Sequence, residues 1–217
     1  MSSVRLRYQT LEFDNFDIHI RSLRDTQQFL DVGQVAEKLG ISSANWSLFG
    51  VIWASGEVLA RYIVDYDIEG KRILEVGCGI ALASLVLNQR GGNITATDYH
   101  PEAGRFLEEN VLLNKGPTIP FVRTAWEDTE SVLGQYDLII GSDLLYESGH
   151  VLTLSNFIER HASQHCEVII VDPGRGNHSR FSREMQRLGY SLHQTVIKTD
   201  ENISPQFKGR ILEYRRH

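Results

Sequence analysis

Side chains able to do chemistry recur in this sequence at the ends of short apolar runs. Glu75, Gly77 and Gly79 close the run Leu74-Glu75-Val76-Gly77-Cys78-Gly79. Two glycines one residue apart allow a tight turn and a close approach of backbone to a ligand. A helix starting there offers free N–H groups to an anionic group. Asp98 closes the next run, Asn93 to Asp98, about 20 residues after the turn, where nucleotide-binding α/β folds keep an acid for ribose hydroxyls. Trp126 follows the third run and can wall an adenine with its flat ring. Asp143 and Tyr146 follow the fourth, in Gly141-Ser142-Asp143-Leu144-Leu145-Tyr146-Glu147.

Two cofactors compete for such a turn. The dinucleotide fingerprint needs a third glycine at position 82, which is Leu82 here, and it has no special use for Glu75. A carboxylate at that strand end can face the α-amino group of a methionine moiety, which suits S-adenosylmethionine (SAM). Each residue also has a plainer use. The turn can be an ordinary strand–helix connection, Asp98 a helix N-cap ahead of Pro101, Trp126 a core residue, and Asp143-x-x-Tyr146 a turn cap beside a half-buried ring. The coincidence of Glu75 with Asp98 favours the cofactor. Elsewhere, the spacing of His161, His165 and Cys166 fits no closed zinc set. His100 and His178 read as surface histidines, Glu127 and Asp128 as a solvated turn, and Cys78 as a small residue between glycines. Arg175 reads equally as a ligand contact or a surface residue.

These residues need elements that end at one edge. Arg72–Val76, Asn93–Asp98, Ile119–Arg123, Tyr136–Asp143 and Glu167–Asp172 read as strands, and helical apolar spacing separates them. Ser191–Ile197 and Gly209–Arg215 have no helix between them and read as an antiparallel pair. The expected fold is α/β: a Rossmann-like, doubly wound, seven-stranded, mostly parallel sheet with an antiparallel last strand. Residues 4–10 and 16–22 alternate apolar and polar around a turn and read as an N-terminal β-hairpin. Residues 31–50 read as a short helix in Val32–Gly40 and a loop in Ile41–Gly50. Residues 1–44 are expected to be an extension and 45–217 the catalytic domain.

Composition narrows the function. A net charge of −6 argues against broad nucleic-acid binding, which needs a basic footprint, and is compatible with a lysine-bearing protein surface. Two cysteines outside any C-x-x-C pair favour a reducing cytosol over a disulfide framework. The N-terminus lacks the apolar stretch of a signal peptide, and no run of 18 apolar residues suggests a membrane span. A cytoplasmic protein is the expectation, with no metal and no membrane or nucleic-acid partner; oligomeric state stays open.

The string LEVGCGIALASL, then TATD, AWED and SDLLYE resembles the class I SAM-dependent methyltransferases. More narrowly, it resembles the seven-β-strand protein lysine methyltransferases marked by an Asp-x-x-Tyr motif, which Asp143 and Tyr146 match. FGVIWASGEVLARYI resembles the family's Trp-bearing helix, with Trp53 at the tryptophan, and VIIVDPGRGNHSRF its strand-five segment, with Arg175 at the arginine. The resemblance implies a catalytic role for Asp143 and Tyr146. It implies cofactor binding by Trp53, Glu75, Gly77, Gly79, Asp98, Tyr99, Trp126 and Ser142. It departs at Ala81, where a third glycine is usual; tolerance of the extra methyl is expected.

Methyl transfer from a sulfonium is an in-line displacement that depends mainly on positioning. Deprotonating a lysine of pKa about 10.4 at pH 7 costs about 4–5 kcal/mol, and a carboxyl at the ordinary aspartate value near 3.9 is a poor base. Asp143 is therefore expected to capture and align the amine, with Tyr146 walling the channel and the proton leaving through water. The substrate most consistent with the resemblance is a protein lysine, and some similar enzymes methylate histidine. A small amine, a nucleic-acid base and an inactive SAM-binding protein are the alternatives.

Overall fold

The computed structural model describes residues 4–197 and 207–216. The chain begins with a hairpin, β1 (Leu6–Phe13) and β2 (Phe16–Leu23), paired antiparallel from Leu6↔Leu23 to Phe13↔Phe16. Its turn is two residues, tighter than the alternation indicates, and Phe13 stacks on Phe16 at 5.4 Å. Two short helices follow, α1 (Val35–Lys38) and α2 (Ser43–Trp46), then a 3-10 turn over Ser47–Gly50 and α3 (Ala54–Ile63). The loop expected over Ile41–Gly50 is thus largely helical. Ser42 caps α2 by accepting from the Asn45 N–H at 3.3 Å, but four residues are too few to show a helical period.

Strands and helices then alternate: β3 (Arg72–Val76), α4 (Leu82–Gln89), β4 (Asn93–Asp98), α5 (Ala103–Leu113), β5 (Phe121–Arg123), β6 (Tyr136–Ser142), α6 (His150–His161), β7 (Ala162–Asp172), α7 (His178–Arg187), β8 (Ser191–Ile197) and β9 (Gly209–Arg216). The seven-stranded sheet runs β5-β4-β3-β6-β7-β9-β8. The first five strands in this order pair parallel, and β9 lies antiparallel between β7 and β8. The expected mostly parallel sheet with an antiparallel last strand is what forms. Pro101 falls in a turn ahead of α5, closed by the Ala103 N–H donating to the His100 carbonyl at 3.2 Å. The strand expected from Glu167 begins at Ala162, with an irregular register opposite Tyr136 and Leu138.

Period-two side-chain direction divides the core. Ile73, Leu138, Ile140, Ile169 and Val171 pack with α3, α4, α5 and the hairpin. Leu74, Val76, Ile139, Val168 and Ile170 pack with α6 and α7 on the other face. The hairpin is joined to α5 by two asparagines one turn apart. Asn110 accepts from the Arg21 N–H at 2.7 Å and donates to the Arg21 carbonyl at 3.1 Å. Asn114 does the same for His19, at 2.8 and 2.7 Å. The two amides mimic a neighbouring strand and close the free edge of β2. Among the described residues no helix is long and apolar enough to cross a membrane.

Candidate active site

The parallel strands end at one edge of the sheet, and the chain winds away in opposite directions from β3 and β6. Ligands in open α/β sheets bind at such a switch point. After β3 the backbone turns sharply, with φ of +58° at Gly77 and +53° at Gly79. A Cβ on Gly77 would come within 2.6 Å of Leu144 Cδ2, and one on Gly79 within 3.1 Å of the Phe49 carbonyl oxygen. The missing side chains thus admit the segment after β6 on one side and the N-terminal segment on the other. Ala81 also sits in the left-handed region, at φ 59°, which prevents α4 from starting before Leu82.

Two carboxylates flank the turn. Glu75 is 4% exposed; its Oε2 accepts from the Ser84 N–H at 2.9 Å and from the Ser84 hydroxyl. Oε1 has no hydrogen-bond partner among the described residues. Burial pushes its carboxyl up to about 7, against the Ser84 hydrogen bonds and with help from the Asp98 charge. Asp98 ends β4. Its Oδ2 accepts from the Gly79 N–H at 2.8 Å and its Oδ1 from the His100 N–H at 2.7 Å. It does not cap α5, whose N-cap is Glu102. Burial raises Asp98 too, against its backbone hydrogen bonds. A carboxylate has about four lone-pair sites, so Asp98 keeps capacity for a diol.

The remaining predicted residues spread along the same edge. Tyr99 exposes its ring and donates from its hydroxyl to the Leu39 carbonyl at 2.5 Å. Trp53 stands at the N-cap of α3 and donates from Nε1 to the Leu48 carbonyl at 2.9 Å. A Cβ on Gly56 would lie 3.6 Å from the Ser142 hydroxyl oxygen, so α3 passes close over the end of β6. Trp126 is half-buried, in a turn closed by Asp128 Oδ2, which accepts from the Ala125 N–H at 2.8 Å. Asp128 is exposed, as expected of a solvated turn, but it also fixes the tryptophan.

The segment after β6 carries Asp143, at φ 54°, and Tyr146, which is 53% exposed. Between them Leu144 fills the space beside both Gly77 and Gly141, which locks this segment to the cofactor turn. Partial burial raises the Tyr146 phenol, and the charges of Glu147, Asp98 and Asp143 add to it. His150, which sequence reasoning missed, sets its ring edge-on to Tyr146 at 4.6 Å and to Trp126 at 5.0 Å. Its Nδ1 lies 3.0 Å from the Leu144 carbonyl. Arg175 holds both carboxylate oxygens of Asp143.

Two histidines are not where the sequence reading put them. His100 is buried, stacked on Phe49 at 3.9 Å and edge-on to Trp46 at 5.6 Å. The aromatic N-terminal segment folds over its loop, and burial pushes the imidazole down to about 4, against the pull of Asp31. His178 is half-buried at the start of α7, where its Nε2 accepts from Arg210 Nη1 at 2.6 Å. His161 lies against the Gly134 carbonyl at 3.1 Å. Among the described residues no group of three His, Cys, Asp or Glu side chains is placed to hold a metal.

The profile of a family described as lysine methyltransferase matches residues 36–187. The chain belongs to this family. Protein N-lysine methyltransferase METTL21A of Danio rerio is 31% identical over 115 residues, covering 48% of this chain and 52% of the relative. Histidine protein methyltransferase 1 homolog of Dictyostelium discoideum is 26% identical over 163 residues, covering 70% and 52%. The match thus spans about half the length of these two relatives. Magnesium protoporphyrin IX methyltransferase of Synechocystis PCC 6803, solved with bound SAM, has the same fold. Its TM-score is 0.60 at 18% identity, covering 89% of each chain.

SAM is the cofactor of this family, and the residues present fit it. Two carboxylates raised by burial stand where a cation is favoured, with Glu75 Oε1 available to an ammonium group. Asp98 has capacity for ribose hydroxyls, and Tyr99 and Trp126 offer flat faces to a purine. The resemblance and the family agree.

Proposed function

We propose that this chain transfers the methyl group of SAM to a lysine side chain of a protein. One observation carries the reading: Leu144 packs on Gly77 and so fixes Asp143 and Tyr146 beside the cofactor turn. SAM, when bound, supplies an electrophilic methyl group on a good leaving group. Asp143 captures and aligns the amine. Tyr146, kept in its phenol form by burial and three neighbouring carboxylates, walls the channel and donates one hydrogen bond. The His150 ring supports Tyr146 edge-on and is itself backed edge-on by Trp126. The net charge of −6 suits a basic partner surface, and free, buried Cys78 and Cys166 suit a reducing cytoplasm.

The test is acid hydrolysis of protein labelled with tritiated SAM in a lysate from a host lacking this enzyme. The reading predicts labelled methyllysine. Labelled methylhistidine would replace lysine with histidine, a second reading supported by the Dictyostelium relative, whose name assigns it histidine in protein.

A further inference from the structure

The Asp143 carboxylate has a partner already. Arg175 donates from Nε to Oδ1 at 2.9 Å and from Nη2 to Oδ2 at 2.8 Å. This fork-on-fork pairing fixes direction as well as charge. The Asp143 side chain is 13% exposed and that of Arg175 46%, so the carboxylate lies inward with the guanidinium over it.

The surrounding chain is shaped to present Arg175. Gly174 and Gly176 flank it at φ +89° and +93°, and a Cβ on either would meet nothing within 4 Å. These glycines therefore serve backbone direction and not close packing. The loop is pinned at both ends. Asp172 Oδ2 accepts from the Gly174 N–H at 3.0 Å, and Asn177 Nδ2 donates to the Leu145 carbonyl at 2.9 Å. Asp172 is buried, with His178 Nδ1 at 3.8 Å from its Oδ2 and Arg210 on the far side of His178. Asp143 is anchored to the same strand by its own N–H, which donates to the Val171 carbonyl at 2.9 Å.

We propose that Arg175 is a positioning residue of the methyl-transfer site: it holds the Asp143 carboxylate in register and cancels its charge, so that the acceptor amine is received neutral. This rests on the lysine reading above. A bare carboxylate within about 4–6 Å stabilises an ammonium by 1–3 pKa units, which opposes the deprotonation the reaction needs. Acidic groups face this place from several elements: Asp98 from β4, Asp143 and Glu147 from the segment after β6, and Asp172 from β7. His150 of α6 lies 3.6 Å from Glu147. His178 of α7 and Arg210 of β9 lie behind Asp172. Arg175 is the cation hydrogen-bonded to Asp143 itself, so the pair turns a charged wall into a dipolar one. The carboxylate oxygens keep lone pairs for the amine N–H.

Two measurements test this. The first needs no acceptor: carbon-13 NMR of ring-labelled tyrosine, with Tyr146 assigned through Tyr146→Phe. In Arg175→Gln, with Asp143 uncompensated, the Tyr146 titration midpoint should rise by about half a unit or more. Arg175→Lys, which keeps the charge without the fork, should move it less. An unchanged midpoint in folded Arg175→Gln overturns the proposal.

The second is the initial rate of tritiated methyl transfer from SAM to lysate protein, from pH 6 to 10 at limiting acceptor. In Arg175→Gln the acidic limb should move about one unit alkaline, a tenfold loss near pH 7, with the rate recovered at high pH. Equal loss at every pH makes Arg175 a structural clamp only. A lower KM on an unshifted profile makes it an occupant that the acceptor displaces. Either result contradicts the proposal. Wild-type protein that labels no lysine contradicts the lysine reading instead, and the tyrosine titration still decides the pairing.

Discussion

At the scale of single residues, strain and buried charge make separable predictions. Ala81 holds a left-handed conformation at φ 59°, which costs a residue with a Cβ about 1–2 kcal/mol. Glycine removes that strain and gives part back through a freer unfolded chain. Ala81→Gly should therefore raise the melting temperature by about 2–4 °C in calorimetry. Gly77→Ala should lower it, because φ is +58° and the new methyl meets Leu144 at 2.6 Å. Glu75, pushed up to about 7 by burial, must ionise to receive an ammonium group, so cofactor binding should release a proton. Affinity for S-adenosylhomocysteine, which keeps that ammonium, should rise with pH up to about 7 and then level off. At pH 6 the loss relative to pH 8 should be about tenfold. Titration calorimetry of wild type and Glu75→Gln checks this: the variant should bind more weakly with a flat profile. The tight turn, Asp98, Trp126 and Asp143 were legible as a set because each ends an apolar run. Arg175 was legible as a residue, read equally as a ligand contact or a surface group, but its pairing was not, since Asp143 lies 32 residues away in sequence and no spacing rule joins them.

At the scale of elements, the strands were legible and their lateral contacts were not. Parallel strands buried on both faces read as continuous apolar runs, as Leu138, Ile139 and Ile140 in β6 and Val168 to Val171 in β7 do. The first half of β7, Ala162-Ser163-Gln164-His165-Cys166, has no such run and was missed. The attachment of β2 to α5 leaves still less trace, because an asparagine on a helix does not reveal what its amide reaches. That attachment is testable. Asn110 is fully buried, and its removal strands an N–H and a carbonyl of Arg21, at about 1–3 kcal/mol for each unsatisfied group. Asn110→Ala should lower the urea midpoint more than Asn114→Ala, whose bonds to His19 are solvent-exposed. Limited proteolysis should then cut first in the hairpin.

At the scale of the whole molecule, the N-terminal third forms one wall of the site. Phe49 lies against Gly79, Tyr99 reaches the Leu39 carbonyl, and His100 is sealed by Phe49 and Trp46. Ligand in the turn should therefore stabilise both parts together. S-adenosylhomocysteine at 100 times its Kd should add about 2.7 kcal/mol and shift a single melting transition upward, whereas NAD should not shift it. On the proposed function, this edge moves a methyl group from SAM to protein through Asp143. The most direct measurement incubates tritiated SAM with lysate from a host lacking the enzyme, using wild type and Asp143→Asn. Asparagine tolerates the left-handed backbone, so the variant removes charge with little strain. A discrete labelled protein is expected with wild type, and at least about a tenfold lower rate with the variant. Label confined to small molecules or nucleic acid, or an equal rate in Asp143→Asn, would contradict it.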